Sequence, residues 1–277
     1  MLTVLVILAI ICCAVAAWLH AKGIVFLGRT AAGWTTVHDD SHTLGERIRV
    51  LEVAGTYQSA TYLDERWAES VFPYHCLFDH LFDRWPEGDG PQTVAVLGGG
   101  GYAIPKHLVA HHPEIARIDV VELDPAIERL AHRFFFLDRL EREFGAQRSG
   151  RLRLHVDEAH AWLESCDERF DAIINDCFFG IDPERKLMTA EAAQLVRSHL
   201  TPDGIYLTNV VSALEGPASQ TMYAVIMALK CAFARVWVYP CNAENPQSPD
   251  NNVVIATDAS CDFPGAWLWP PDAEEQA

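Results

Sequence analysis

Short apolar runs alternate with amphipathic stretches through the C-terminal two thirds of the chain. Seven of the apolar runs have the length and the β-branched content of strands: 93–97, 118–122, 151–155, 171–175, 204–209, 234–239 and 252–257. Near-continuous apolar strands that alternate with helices are typical of a mostly parallel sheet covered on both faces. We therefore predict a doubly wound α/β domain with a mostly parallel, seven-stranded sheet over residues 92–260, followed by a disordered tail over residues 261–277.

Capping residues mark the helix boundaries. Asp124 precedes Pro125, which predicts a helix with the aspartate at its N-cap and the proline at its first position. Thr189 is expected to cap a second helix, which ends at the turn residues 201–204. Further upstream, we predict a helix from Tyr74 onward, with Pro73 near its start.

The segment before this domain has a different pattern. Residues 47–53 and 57–62 are rich in β-branched and aromatic side chains and are separated by a short turn that contains glycine, which predicts a hairpin. We assign residues 34–85 to a small N-terminal β-domain. Residues 20–33 are interpreted as a linker, and residues 86–92 have the composition of a loop between domains.

The N-terminus is strongly apolar. Residues 2–19 contain no charged side chain and approach the length of about 20 residues that a membrane-spanning helix needs. Lys22 and Arg29 follow this segment, so the positive-inside rule places the rest of the chain in the cytoplasm. We expect an apolar N-terminal helix that anchors the chain in the membrane within residues 1–22. A cleaved signal peptide and a buried helix are the alternatives.

Composition excludes several classes of function. The chain has 277 residues and a formal net charge of −17, so binding to nucleic acid through phosphate contacts is not expected. Its eight cysteines are scattered without a CxxC pair, and its histidines show no familiar metal-ligand spacing. The sequence therefore predicts neither a disulfide framework nor a bound metal.

Four consecutive glycines follow the first strand of the predicted parallel sheet. Gly98, Gly99, Gly100 and Gly101 stand where that strand turns into a helix, and glycine lets a ligand approach the backbone closely. Glu122 ends the second strand, where a carboxylate can accept hydrogen bonds from the hydroxyls of a ribose. This combination predicts a nucleoside-binding site. A tight turn without a ligand is the alternative, and the glycine spacing also fits a dinucleotide such as NAD.

Further carboxylates follow the next two strands. Asp157 and Glu158 come just after the third strand, and Asp176 comes just after the fourth. Ligands of doubly wound sheets bind outside the carboxyl ends of the strands, so these side chains are expected at one crevice. Asp157 or Glu158 can accept a hydrogen bond from the amino group of adenine. Asp176 is either a functional group or a structural cap of its strand.

Several segments together resemble the spermidine synthases and related polyamine aminopropyltransferases. These segments are GGGGY, VELDP, the acids after RLRLHV, FDAIINDCFFG and the upstream VAGTYQSATYLDE, and the resemblance extends from about Thr36 to Thr257. It implies the fold of S-adenosylmethionine-dependent methyltransferases. It also implies a transferase that moves an aminopropyl group from decarboxylated S-adenosylmethionine to an amine such as putrescine. Members of the family are often dimers, so a homodimer is possible.

The resemblance assigns roles to individual residues. Asp176 matches the first aspartate of the family's D-x-x-D motif and would accept the proton of the acceptor amine. Glu122 would hold the ribose, and Glu158 matches the aspartate that contacts adenine. Gln58 matches a glutamine of the N-terminal domain that lies over the active site. Tyr57 is a further candidate for the acceptor channel.

Two positions depart from the family pattern and leave other functions open. Gly101 replaces the aspartate of the family's glycine loop, and Phe179 replaces the second aspartate of D-x-x-D. Without the loop aspartate, the repulsion that disfavours the carboxylate of intact S-adenosylmethionine is lost. An S-adenosylmethionine-dependent methyltransferase is therefore one alternative. A non-catalytic nucleoside-binding domain is another, and Phe178 and Phe179 would suit an acceptor that carries less charge.

Overall fold

The computed structural model describes residues 6–7, 13–14, 17–19, 21–41, 45–86, 89–179, 182–183 and 185–269. The side chain of Phe179 is outside this description. Most of the apolar segment 2–19 also lies outside the described residues. Within them, no helix combines the length and the apolar character that crossing a membrane requires.

The described residues form an α/β structure that begins with strands. The strands are β1 (Ile24–Thr30), β2 (Gly33–Asp40), β3 (Ile48–Val53), β4 (Thr56–Tyr62), β5 (Thr93–Leu97), β6 (Arg117–Glu122), β7 (Leu152–Val156), β8 (Phe170–Asn175), β9 (Phe178–Phe179), β10 (Asp182–Pro183), β11 (Leu200–Ser212), β12 (Arg235–Pro240), β13 (Asp250–Thr257) and β14 (Trp267–Trp269). The α-helices are α1 (Pro73–Leu77), α2 (Ala103–His111), α3 (Pro125–Phe134), α4 (Leu137–Phe144), α5 (Ala159–Ser165), α6 (Ala190–Ser198) and α7 (Gln220–Lys230). Short 3₁₀ helices cover Phe78–Arg84, Arg185–Met188 and Pro217–Ser219.

The N-terminal strands form a four-stranded antiparallel sheet in the order β1-β2-β3-β4. The predicted hairpin corresponds to β3 and β4, whose turn residues Ala54 and Gly55 both have positive φ, of 51° and 82°. The prediction that residues 20–33 are a linker was wrong, because β1 pairs with β2 along most of its length. Side chains in β1 are alternately half-buried and exposed, and apolar residues lie on both faces: Ile24 and Phe26 are half-buried, whereas Val25 and Leu27 are exposed.

The large sheet has eight strands in the order β14-β12-β13-β11-β8-β5-β6-β7. All seven predicted strands are present, and the pairs from β11 through β8, β5 and β6 to β7 are parallel. The eighth strand, β14, pairs with β12 and lies within residues 261–277, which were expected to be a disordered tail. A strand of three residues is too short to show the alternation that would predict it from the sequence. Just before β14, Phe263 packs on Trp237 at 4.9 Å between ring centroids.

The predicted caps and helices near the site are confirmed. The Asp124 side chain accepts a hydrogen bond from the Ala126 N–H, and Pro125 is the first residue of α3. Thr189 caps α6 by accepting from the Ala192 N–H. The helix predicted from Tyr74 onward is split, since α1 passes directly into the 3₁₀ helix Phe78–Arg84.

Both faces of the large sheet are buried, and successive residues of β5 show why. Val94 and Val96 belong to the apolar cluster on one face, whereas Ala95 and Leu97 belong to the cluster on the other. Because side chains alternate across a strand, a strand buried on both faces has to be apolar at every position. This requirement explains the continuous apolar runs in the sequence.

The small sheet is held against helix α3. Val37 and Leu51 of the small sheet share one buried cluster with Ile127, Leu130 and Phe135 at α3 and its C-terminal end. This packing brings the β4 end of the small sheet over the carboxyl edge of the large sheet, where the strand order reverses between β5 and β8. That edge is the place where doubly wound sheets bind ligands.

Candidate active site

A cavity lies at this edge and is covered by the small sheet. Eight of the residues singled out in the sequence line it: Gln58, Gly98, Gly99, Gly100, Glu122, Asp157, Glu158 and Asp176. They come from β4, from the turn after β5, and from the ends of β6, β7 and β8. The structure therefore brings these segments together at one cavity, as the sequence predicts.

Glu122 organises the glycine loop from the end of β6. Its Oε2 accepts hydrogen bonds from the N–H groups of Gly99 (3.0 Å) and Gly100 (2.9 Å), and its Oε1 accepts from the Asp124 N–H (2.9 Å). Burial raises the pKa of Glu122 above its usual value, although these three donors act in the opposite direction. A carboxylate has about four acceptor positions, so roughly one remains for a ligand hydroxyl.

The first glycine of the loop is required by the neighbouring strand. Gly98 has a φ of +93°, and a Cβ atom placed on it would lie 2.6 Å from the carbonyl oxygen of Asp176. The Asp176 N–H in turn donates to the carbonyl of Leu97 at 2.8 Å. The close approach at this position is therefore made by the backbone that carries Asp176, and it brings the loop and the carboxylate side by side.

The last glycine of the loop is turned away from the cavity. A Cβ atom on Gly101 would lie 2.6 Å from the Ser59 Oγ and 3.1 Å from the ring of Phe135, and Gly101 does not line the cavity. Ser59, which does line the cavity, stands beside it. Gly101 was expected among the cofactor-binding residues because it belongs to a glycine run. Its contacts show that it accommodates the small sheet instead.

The two acids after β7 have different environments. Glu158 caps α5 by accepting from the N–H groups of His160 (2.9 Å) and Ala161 (3.4 Å), and it also binds the Lys186 Nζ at 3.1 Å. Burial raises the pKa of Glu158, but the His160 N–H and Lys186 outweigh it and leave the pKa below its usual value. Asp157 is exposed and accepts only a local bond from the Glu158 N–H.

Asp176 sits in a group of polar side chains. Its Oδ1 accepts from the Asn209 amide at 3.0 Å, and its Oδ2 accepts from the Tyr74 hydroxyl at 3.1 Å. The Nε2 of the buried His75 lies 3.5 Å from Oδ2. Burial, followed by the charge of Asp176, raises the pKa of Tyr74 well above its usual value, so the phenol is a neutral donor. These contacts fix the orientation of the Asp176 carboxylate just after the carboxyl end of β8.

Sequence reasoning missed some of these side chains and misplaced others. His75 and Asn209 were not singled out, because each is placed at the site by its contact with Asp176 and not by a sequence motif. Tyr57 does not line the cavity, because its half-exposed ring lies against His38 at 5.8 Å between centroids. Phe178 lines the cavity, as expected.

The cavity is strongly acidic. Its described lining includes five carboxylates and no lysine or arginine, and Lys186, outside the lining, pairs with one of them, Glu158; the acids are Glu122, Asp124, Asp157, Glu158 and Asp176. A concave site with one sign of charge concentrates ligands of the opposite sign. The lining therefore favours a cationic ligand, such as a sulfonium or an ammonium group, next to an uncharged nucleoside.

Known proteins share both the fold and parts of the sequence. A polyamine aminopropyltransferase of Vibrio vulnificus is 28% identical over 173 residues, which are 61% of this chain and 50% of the relative. The chain thus spans about half the length of this curated relative. The structure of a probable spermidine synthase from Corynebacterium glutamicum superposes with a TM-score of 0.69 at 18% identity, covering 84% of this chain and 80% of the other.

A methyltransferase shares the fold as well. Human methyltransferase-like protein 13 in complex with SAH superposes with a TM-score of 0.56 at 20% identity, over 68% of this chain and 83% of the other. The model of the spermine/spermidine synthase domain matches residues 72–241, a segment that contains the glycine loop, Glu122 and Asp176. Because this match covers more than half of the chain, the protein belongs to the spermine/spermidine synthase domain family.

Proposed function

We propose that this protein transfers an aminopropyl group from decarboxylated S-adenosylmethionine to an amine acceptor. The observation that carries the proposal is the position of Asp176. Its carboxylate opens into the cavity that the glycine loop and Glu122 form, and Tyr74 and Asn209 hold it in place. A nucleoside site and a fixed carboxylate thus share one acidic cavity, as the transfer of an alkyl group from a sulfonium to an amine requires.

The donor is assigned to the side of the cavity formed by β5, β6 and β7. Glu122 has one acceptor position left for a ribose hydroxyl, while its other positions hold the loop. Asp157 is exposed at the rim and is the better placed of the two acids to accept from the adenine amino group. Glu158 already serves as a helix cap, so we assign it a role in positioning α5.

The acceptor is assigned to the side formed by β8 and α1. The amine nitrogen attacks the carbon beside the sulfonium, the carbon–sulfur bond breaks, and methylthioadenosine leaves. An ammonium has no lone pair, so its proton has to pass to a base before attack. Asp176 is the proposed base, with His75 3.5 Å away as a second group that can accept the proton. Phe178 adds apolar surface here, which suits an acceptor with a hydrocarbon chain.

A methyltransferase is the second candidate, and the glycine loop favours it. The position of the family's loop aspartate is Gly101, and the neighbouring group at the cavity is the neutral Ser59. No carboxylate at this position repels the carboxylate of intact S-adenosylmethionine. Side-by-side calorimetric titration with the intact and the decarboxylated donor distinguishes the two candidates. A preference for the decarboxylated form supports aminopropyl transfer, whereas an equal or reversed preference supports a methyltransferase.

The Asp176→Asn variant tests the catalytic assignment. Asparagine keeps the size of the side chain but removes its basicity, so we expect formation of methylthioadenosine from the decarboxylated donor and a diamine to be lost. Calorimetric affinity for the donor should stay nearly unchanged. Asp203→Asn is the matched control, because Asp203 is 75% exposed and its ion pair is with Arg84, at 3.5 Å, away from the cavity lining. Turnover that survives in Asp176→Asn would remove this residue from the mechanism.

We also propose that residues 2–19 anchor the chain in a membrane and leave the catalytic domain in the cytoplasm. The support is the absence of charge in this segment and the presence of Lys22 and Arg29 after it. Membrane fractionation of the full chain, with and without this segment, tests the proposal. Equal recovery of both forms in the soluble fraction would contradict it. Dimerisation stays a prediction from the family resemblance.

A further inference from the structure

A second group of possible ligands lies outside the active site. Asp79, His107 and His112 each offer one ligand atom, and these three atoms lie within 4.8 Å of one another. Asp79 belongs to the 3₁₀ helix Phe78–Arg84, whereas His107 lies on α2 and His112 directly follows it. Since a metal ion bound at about 2.0–2.2 Å brings its ligand atoms to about 3–4 Å from one another, this spacing is close to that of a metal site.

The two ring nitrogens of His107 make no hydrogen bond with the described residues, and both atoms are buried. The His107 Nε2 nevertheless lies 3.1 Å from the Asp79 Oδ1. Buried polar atoms are normally paired, because leaving one unpaired costs about 1–3 kcal/mol. A cation between the imidazole and the carboxylate would satisfy His107 and Asp79 together.

The ring of His112 is held in place by two contacts. Its Nδ1 lies 2.9 Å from the Glu114 Oε1, and its ring stacks on Phe82 at 3.8 Å between centroids with an interplanar angle of 11°. A hydrogen bond from Nδ1–H to a carboxylate leaves Nε2 with a free lone pair and strengthens it as a donor to a metal. Histidine ligands in metal sites characteristically have such a carboxylate behind them.

We propose that Asp79, His107 and His112 bind a divalent transition-metal ion, with Zn²⁺ as the best match. Two imidazoles and one carboxylate form a mixed nitrogen and oxygen set that suits Zn²⁺, whereas Mg²⁺ and Ca²⁺ prefer oxygen ligands alone. The Asp79 side chain is 42% exposed, so solvent can supply the fourth ligand.

The location of the group indicates what the ion does. The 3₁₀ helix that carries Asp79 continues directly from α1, which holds Tyr74 and His75 beside Asp176. Helix α2, which carries His107, begins directly after the glycine loop. The ion therefore clamps together two elements that supply opposite sides of the catalytic cavity. The ion stabilises the active site from outside the cavity lining and makes no contact with the reacting atoms.

Titration of the metal-free full-length chain with Co²⁺ and Zn²⁺ tests the proposal. We expect one Co²⁺ per chain with visible absorption of four-coordinate nitrogen and oxygen ligation, displacement by Zn²⁺, and a higher unfolding temperature with Zn²⁺. His107→Gln and Asp79→Asn should each weaken binding by at least about 100-fold. Glu114→Gln should weaken it by about 10–100-fold, the usual effect of losing a carboxylate behind a ligand.

His132→Gln is the matched control. His132 also has a carboxylate partner, Asp138 at 2.7 Å, but it lies on α3 outside the group, so its replacement should leave binding unchanged. The exposed Asp79 gives a variant that is expected to fold even if His107→Gln does not. The proposal is overturned if the parent binds no Co²⁺, if Asp79→Asn binds it as tightly, or if the absorption shows thiolate ligation.

Discussion

Replacing Glu122 separates its structural role from its role in nucleoside binding. In Glu122→Ala, the N–H groups of Gly99, Gly100 and Asp124 lose their acceptor. A buried unpaired donor costs about 1–3 kcal/mol. The two glycine donors face the cavity, where water can replace the carboxylate, so most of the cost comes from Asp124. Removing a buried carboxylate also relieves its own desolvation. We therefore expect the free energy of unfolding to fall by about 1–2 kcal/mol.

Thermal unfolding and calorimetric titration with the nucleoside donor measure the two effects. At about 2–4 °C per kcal/mol, the unfolding temperature should fall by about 2–8 °C. Donor affinity should weaken by about 1–3 kcal/mol through the lost ribose contact. Glu122→Gln should lie between parent and alanine variant in stability, because one amide oxygen can still accept from both Gly99 and Gly100. Only the bond from Asp124 is then lost.

One control and two possible outcomes decide whether Glu122 has both roles. Glu143→Ala is the control, since Glu143 is exposed and pairs only with Arg139 one helical turn away, so it should change stability by less than about 0.5 kcal/mol. A lower unfolding temperature with unchanged donor affinity would place the ribose elsewhere. If Glu122→Ala matched the parent in both measurements, the reasoning from the three hydrogen bonds would be refuted.

Two further changes test the buried Lys106 and the first glycine of the loop, Gly98. Burial lowers the pKa of Lys106 to about 7, so the unfolded chain binds one more proton than the folded chain from about pH 7 to pH 10. Stability should therefore rise with pH there by up to about 1.4 kcal/mol per unit, and denaturant titration of Lys106→Met should show this increment lost. Gly98→Ala should lower the unfolding temperature and turnover, because its Cβ would meet the Asp176 backbone. Gly150→Ala, also at positive φ but with open space around it, should show only the smaller cost of strain; equal losses in both would exclude the clash as the cause.

The fold was largely predictable because the central strands are buried on both faces. After Thr93, a strand such as β5 has no polar position, so its apolar run has sharp limits, and the predicted bounds 93–97 match the structure. Strands at the edges lack this constraint. Residues 20–33 were interpreted as a linker although they contain β1, an edge strand whose alternate side chains are exposed, and the three-residue β14 gives no periodic signal.

The site was predictable where residues follow parallel strands. Topology places the ends of β5 to β8 at one edge, which brought Glu122 and Asp176 to the same cavity. The sequence does not reveal which way a glycine faces, and Gly101 turned out to contact Ser59. His75 was missed because its importance depends on a contact with Asp176 across about 100 residues, and such a contact depends on packing alone.

The acidic end of β6 explains why the sequence marks the cofactor more clearly than the acceptor. Glu122 ties down the glycine loop, and Asp124 both caps α3 and accepts from the Ala31 N–H of the small sheet at 2.6 Å. These two residues therefore fix the loop, the helix and the covering sheet at once, whichever amine is bound. The proposed acceptor side depends on separate positions such as Phe178, which lines the cavity on the short strand β9, outside the large sheet and the glycine loop. Acceptor specificity can therefore change there while Glu122 and Asp124 keep the loop, the helix and the covering sheet in place.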